Sequence, residues 1–99
     1  MTKETLVDLA SSLNEPSLLS NLNFINGKWK KAVSQQTYEV MNPATGESIA
    51  GVANSDAIDA ANAARSARKA FNSWQLTTHR ERATLLEKWH GLMQQHSDD

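Results

Sequence analysis

Between Ser55 and Trp74 the chain reads SDAIDAANAARSARKAFNSW, and the side chains recurring on one face at helical spacing are nearly all small. Ala57, Ala60, Ala61, Ala64 and Ala67 lead on that face to Phe71 and Trp74, an apolar stripe that predicts a helix. Alanine buries little area itself; its use is to let a neighbouring backbone approach closely. Such a helix is built to lie against something else. Ser55 is the expected N-cap, Asp56 falls in the first turn where the helix dipole favours negative charge, and Asp59, Asn62, Ser66, Lys69 and Ser73 form the expected wet side.

A second helix is expected from near His79 to about His96, because Thr78 and Glu81 have capping-box spacing and Leu85, Leu86, Trp89, Leu92 and Met93 share one face. Gly91 lies inside it at a cost of about 1 kcal/mol relative to alanine. The final residues are SDD, where Ser97 or Asp98 suits the head of a further helix.

The segment before these helices has the punctuation of strands. Asn26-Gly27 stands between Phe24-Ile25 and Trp29, and a type I′ turn needs positive φ at both central residues, so a hairpin is expected to close there. TYEV supplies the next strand, with Tyr38 and Val40 on one face and Thr37 and Glu39 on the other. In VMNPATGESIAGV, Pro43 presets a turn, Gly46 can adopt the left-handed conformation that reverses the chain, and SIAGVA returns as a strand. Ahead of all this, Leu6, Leu9, Ala10 and Leu13 line one face of a short helical arm from about Lys3 to Leu13, which Pro16 is expected to end. An isolated helix of that length is marginal in water, so its stripe needs a surface to dock on.

Three spans result: an arm over 1–21, antiparallel strands and turns over 22–54, and a helix pair over 55–99. The fold class is α+β. A chain of 99 residues has room for one small domain. Ten Lys+Arg against eleven Asp+Glu give a net charge of −1, which argues against nucleic acid or an anionic membrane as partner. The start has Glu4 and Asp8 and no apolar run long enough for a signal h-region, and without arginine it makes a poor transit peptide, so a cytoplasmic location is expected.

Each chemically suggestive group has a plainer reading. The glycines around Pro43 match neither G-x-G-x-x-G nor a P-loop, and the residues after Gly46 read as strand rather than helix, so a turn is expected and not a phosphate cradle. His90 and His96 stand roughly 240° apart around a helix and His79 lies at a helix start, so no metal site is assigned. Lys28, Lys30 and Lys31 around Trp29 suit an edge strand protected from pairing. Glu39 and Glu47 flank a turn and Glu81 caps a helix, so no carboxylate pair is assembled for acid–base work. With no cysteine there is no thiolate nucleophile. Trp29, Trp74 and Trp89 are expected as core or interface anchors. No catalytic, cofactor-binding or metal residue is assigned to any position.

FINGKW, VMNPATGESIAGV, AIDAANAARSARKAFNSW and ERATLLEKWHGLMQQHSDD, taken in order from about Asn23 to Asp99, resemble the amino-terminal segment of the aldehyde dehydrogenase superfamily, most of all its succinate-semialdehyde dehydrogenase branch. The resemblance implies NAD- or NADP-dependent oxidation of an aldehyde, through attack by a cysteine thiolate with a glutamate as base, in chains of nearly five hundred residues. It implies a partial, amino-terminal piece of one larger cofactor-binding domain, with the cofactor loops and catalytic residues beyond position 99. The expected partners are the remainder of a dehydrogenase chain or another subunit, in a homo-oligomer, and the segment alone is expected to be inactive and to bind no cofactor. The alternative from a different class is a stand-alone α+β interaction module docking on a larger subunit; a basic-patch nucleic-acid binder is the third.

Overall fold

A computed structural model describes residues 6–99. Along the chain come helix α1 (Leu6–Ser11), a 3-10 turn (Pro16–Leu18), strands β1 (Asn23–Ile25), β2 (Lys28–Lys30), β3 (Thr37–Met41) and β4 (Ser48–Ala53), then helices α2 (Ala57–Trp74) and α3 (His79–Gln95). The part of the expected arm helix over 3–5 lies outside the described residues. The arm helix ends at Ser11, ahead of the expected Leu13. The Ser11 and Ser12 hydroxyls turn back to donate to the Asp8 and Leu9 carbonyls at 2.7 and 2.6 Å, which competes with continued helix. Pro16 therefore does not stop α1; it opens the 3-10 turn, where its fixed φ fits and its missing N–H is not needed.

The first hairpin closes as its turn chemistry requires. Asn26 and Gly27 have φ of 54° and 72°, and Phe24 stands opposite Trp29 with ring centroids 4.9 Å apart. A Cβ added at Gly27 would touch nothing within 4 Å. Gly27→Ala thus costs only backbone strain, about 1–2 kcal/mol. A two-stranded hairpin has little stability to spare. The cross-strand nuclear Overhauser contacts between Phe24 and Trp29 are expected to fade in this variant, and full retention would contradict the role given to the turn.

β3 and β4 form the second antiparallel pair, with Tyr38 opposite Val52 and Val40 opposite Ala50. Met41 then pairs with Ser48, so Ile49 is the extra residue of a bulge. VMNPATGESIAGV is a turn between strands: Asn42 and Glu47 close it at 2.7 Å, the Asn42 side-chain oxygen accepts from Ala44 N–H at 2.9 Å, and Gly46 takes φ 74°.

In α2 the N-cap is Asp56, one residue later than the expected Ser55. Its carboxylate accepts from Ile58 N–H at 2.9 Å, while Asp59 at the third helical position accepts from Asp56 N–H at 3.0 Å. A reciprocal carboxylate box satisfies two amides where a serine hydroxyl would satisfy one. Ser55 instead accepts from the Asn23 side-chain amide. α3 opens with the expected box, Glu81 N–H donating to Thr78 Oγ1 at 3.2 Å and Thr78 N–H to Glu81 Oε2 at 2.8 Å, and continues through Gly91 to its C-cap at His96. Arg82 pins the corner between the helices: its guanidinium donates to Thr77 Oγ1 at 2.8 Å and to the Trp74 carbonyl at 3.2 Å, and lies over the Trp74 ring.

The chain measures 53 × 35 × 18 Å, with a radius of gyration of 17.3 Å. A compact chain of this length has a radius of about 13 Å. A helix with its side chains is already about 10–12 Å across, so 18 Å leaves no room for the two full layers that enclose a core. Among the described residues Ala32 is the one buried hydrophobic side chain.

Candidate functional site

The stripes expected to be buried are open. Phe71 and Trp74 on α2 are 42% and 45% exposed, and on α3 Leu85, Leu86, Trp89, Leu92 and Met93 are 47–60% exposed. Ala67, Ala70, Phe71, Ser73, Trp74 and Thr77 line an open groove of about 550 Å³ along the last turns of α2. The three tryptophans are thus not core anchors within these residues, Trp29 being 53% exposed as well. The chain presents 8022 Å² to solvent. A compact monomer of this mass presents about 5,600 Å². The excess, roughly 2,400 Å², is about three times what one partner contributes to a standard-size interface. A surface of this extent and apolarity is more than a soluble monomer ordinarily leaves open.

What α2 does bury is its polar side, contrary to the expected wet face. Asp59 is 5% exposed, and Asn62 and Ser66 are half-buried against the loop after β2. The reason is Asp59: one carboxylate oxygen caps Asp56 N–H and the other accepts from Val33 N–H at 2.9 Å, tying the helix start to that loop. These two backbone donors hold its pKa below the ordinary 3.8, outweighing the opposing effect of burial. Because the folded value is the lower one, the carboxylate's stabilisation is complete above about pH 4 and is lost as pH falls through the depressed value. Acidification is expected to weaken the α2 start, read as faster amide exchange at Val33 and Asp56. Asp59→Asn should show that acceleration already at neutral pH; an unchanged rate would sink the assignment.

The other groups singled out from sequence do not converge. Glu39 stands opposite Gly51 within the ladder, whereas Glu47 sits at the far end of the turn. His79 opens α3, His90 is exposed on it, and His96 lies 3.7 Å from Asp99. Among the described residues no three metal-ligating side chains cluster. Lys28 and Lys30 lie on β2, which pairs with β1 alone, as edge lysines should. The Asn42–Glu47 turn feeds a strand and not a helix, so it offers no helix N-terminus to a dinucleotide. No helix of the described residues is long and apolar enough to cross a membrane.

Residues 29–99 match the model of the aldehyde dehydrogenase family. The chain belongs to that family. It is 41% identical over 87 residues to the 3-sulfolactaldehyde dehydrogenase of Pseudomonas putida, and 36% identical over 87 residues to the NADP(+) succinate-semialdehyde dehydrogenase of Escherichia coli; each match covers 88% of this chain and 18% of the relative. A solved succinate-semialdehyde dehydrogenase from Burkholderia pseudomallei superposes with a TM-score of 0.84 at 41% identity, over 89% of this chain and 18% of that one. The α+β arrangement of two hairpins and two long helices is therefore a part of the aldehyde dehydrogenase fold. The chain spans less than a fifth of the length of these dehydrogenases.

Sequence reasoning missed the roles of Asp59, Arg82 and Asp99. The Asp56-to-Asp59 spacing was a usable capping signal, but the Val33 contact and the Asp99 contacts with the arm join residues far apart in the chain and leave no local mark.

Proposed function

We propose that the chain is the amino-terminal part of a NAD(P)-dependent aldehyde dehydrogenase that oxidises a short aldehyde bearing an anionic group, succinate semialdehyde foremost. The observation that carries this is continuous similarity over 88% of the chain to enzymes named for 3-sulfolactaldehyde and succinate semialdehyde. The name of the Escherichia coli relative specifies NADP(+), which favours that cofactor without extending it to these residues. The part played by this chain is a scaffold's: α2 and α3 present an apolar face to the remainder of the dehydrogenase chain, in a cytoplasmic homo-oligomer, and no nucleic acid is involved. No cofactor contact or chemical step is assigned to its side chains.

A chimera in which this chain replaces the matching segment of the Escherichia coli enzyme tests the reading. It is expected to reduce NADP+ with succinate semialdehyde at a rate comparable to the parent. A chimera that folds cooperatively yet turns nothing over would overturn the assignment and favour a stand-alone docking module.

A further inference from the structure

Asp99 and Asn14 are 85 positions apart in the chain and hydrogen-bonded in the fold. One oxygen of the Asp99 carboxylate accepts from Asn14 N–H at 2.8 Å and the other from Glu15 N–H at 3.2 Å. The side chain is 4% exposed, with His96 Nδ1 3.7 Å away. Two backbone amides on one carboxylate make a directional, charge-assisted grip. Beyond the grip, the chain is stiffened by the Pro16–Leu18 turn, with Leu18 N–H donating to the Glu15 carbonyl at 3.1 Å. Its far end is fastened too: the Asn21 side-chain amide donates to the Gly51 carbonyl at 3.0 Å, and the Asn21 carbonyl accepts from Ala53 N–H at 3.0 Å.

We infer that residues 14–21 form a strap between the end of α3 and the outer edge of β4, with Asp99 as its clasp. The strap ties the arm to the rest of the chain by hydrogen bonds at two points. An amide in place of the carboxylate can accept only one of the two N–H groups well and sets its own NH2 against the other, so Asp99→Asn should open the clasp while leaving the β4 end closed.

The test rests on the dehydrogenase reading and uses the chimera with the Escherichia coli enzyme, where the chain has its larger body. Amides of residues 13–17 are expected to exchange slowly there, and Asp99→Asn should speed their exchange about tenfold while residues 48–53 and 80–90 keep the parent rate. Fast exchange over 13–17 in the parent chimera, equal rates in parent and variant, or faster exchange throughout α3 would each overturn the clasp, whether or not the chimera turns over succinate semialdehyde.

Discussion

Incubated with succinate semialdehyde and NAD+ or NADP+, the 99-residue chain is expected to yield no reduced nicotinamide above a protein-free control. Aldehyde oxidation in this family, as the resemblance implies, needs a thiolate nucleophile, and the chain has no cysteine. It also needs a dinucleotide held against the substrate, and the one glycine-bearing turn that could suggest a cradle leads into β4 instead of a helix. Enzymes supply accelerations of about 10⁶-fold or more from such assembled groups, so their absence is an all-or-none difference in a spectrophotometric assay. Saturable turnover by the pure chain would contradict the account.

Trp74→Ala is expected to have two very different costs depending on what lies over α2. In the 99-residue chain Trp74 is 45% exposed, and its definite partner is the Arg82 guanidinium 5.6 Å from the ring centre. Removing the indole there forfeits a cation–π contact of about 0.5–1 kcal/mol and some partial burial. If the rest of the dehydrogenase lies over this groove, as proposed, truncation in the chimera with the Escherichia coli enzyme leaves a cavity. Large aromatic-to-alanine changes in interiors cost about 3–5 kcal/mol. Denaturant midpoints of parent and variant chimeras measure the second figure, and helicity of parent and variant chains the first. Similar small losses in both would mean that the groove is not where the rest of the dehydrogenase sits.

Local features of the fold were legible because each is decided by neighbours in sequence. Asn26-Gly27 sets its own turn through two positive φ values, Pro43 and Gly46 reverse the chain, and Thr78 with Glu81 starts α3. Which side of α2 is covered was not legible. The periodicity correctly marked an apolar stripe, but a stripe shows which face prefers burial and not whether these residues can bury it. Within this chain the helix is held instead by Asp59, whose partner Val33 lies 26 positions away. Ser55 lost the N-cap to Asp56 because a second carboxylate at position 59 completes the box, a competition that depends on geometry as well as residue type. The clasp at Asp99 depends wholly on how the arm is placed. No active site was legible from sequence; family membership rests on the order of several elements taken together.

Differential scanning calorimetry of the purified 99-residue chain puts the proposed dependence on a larger dehydrogenase body to the most direct test. With roughly 2,400 Å² more surface than a compact monomer and Ala32 as the one buried hydrophobic side chain among the described residues, heating should give a broad, shallow change with no cooperative peak. A sharp peak from a monomer, its calorimetric and van't Hoff enthalpies equal, would show that the chain encloses its own apolar faces, and the account would be wrong.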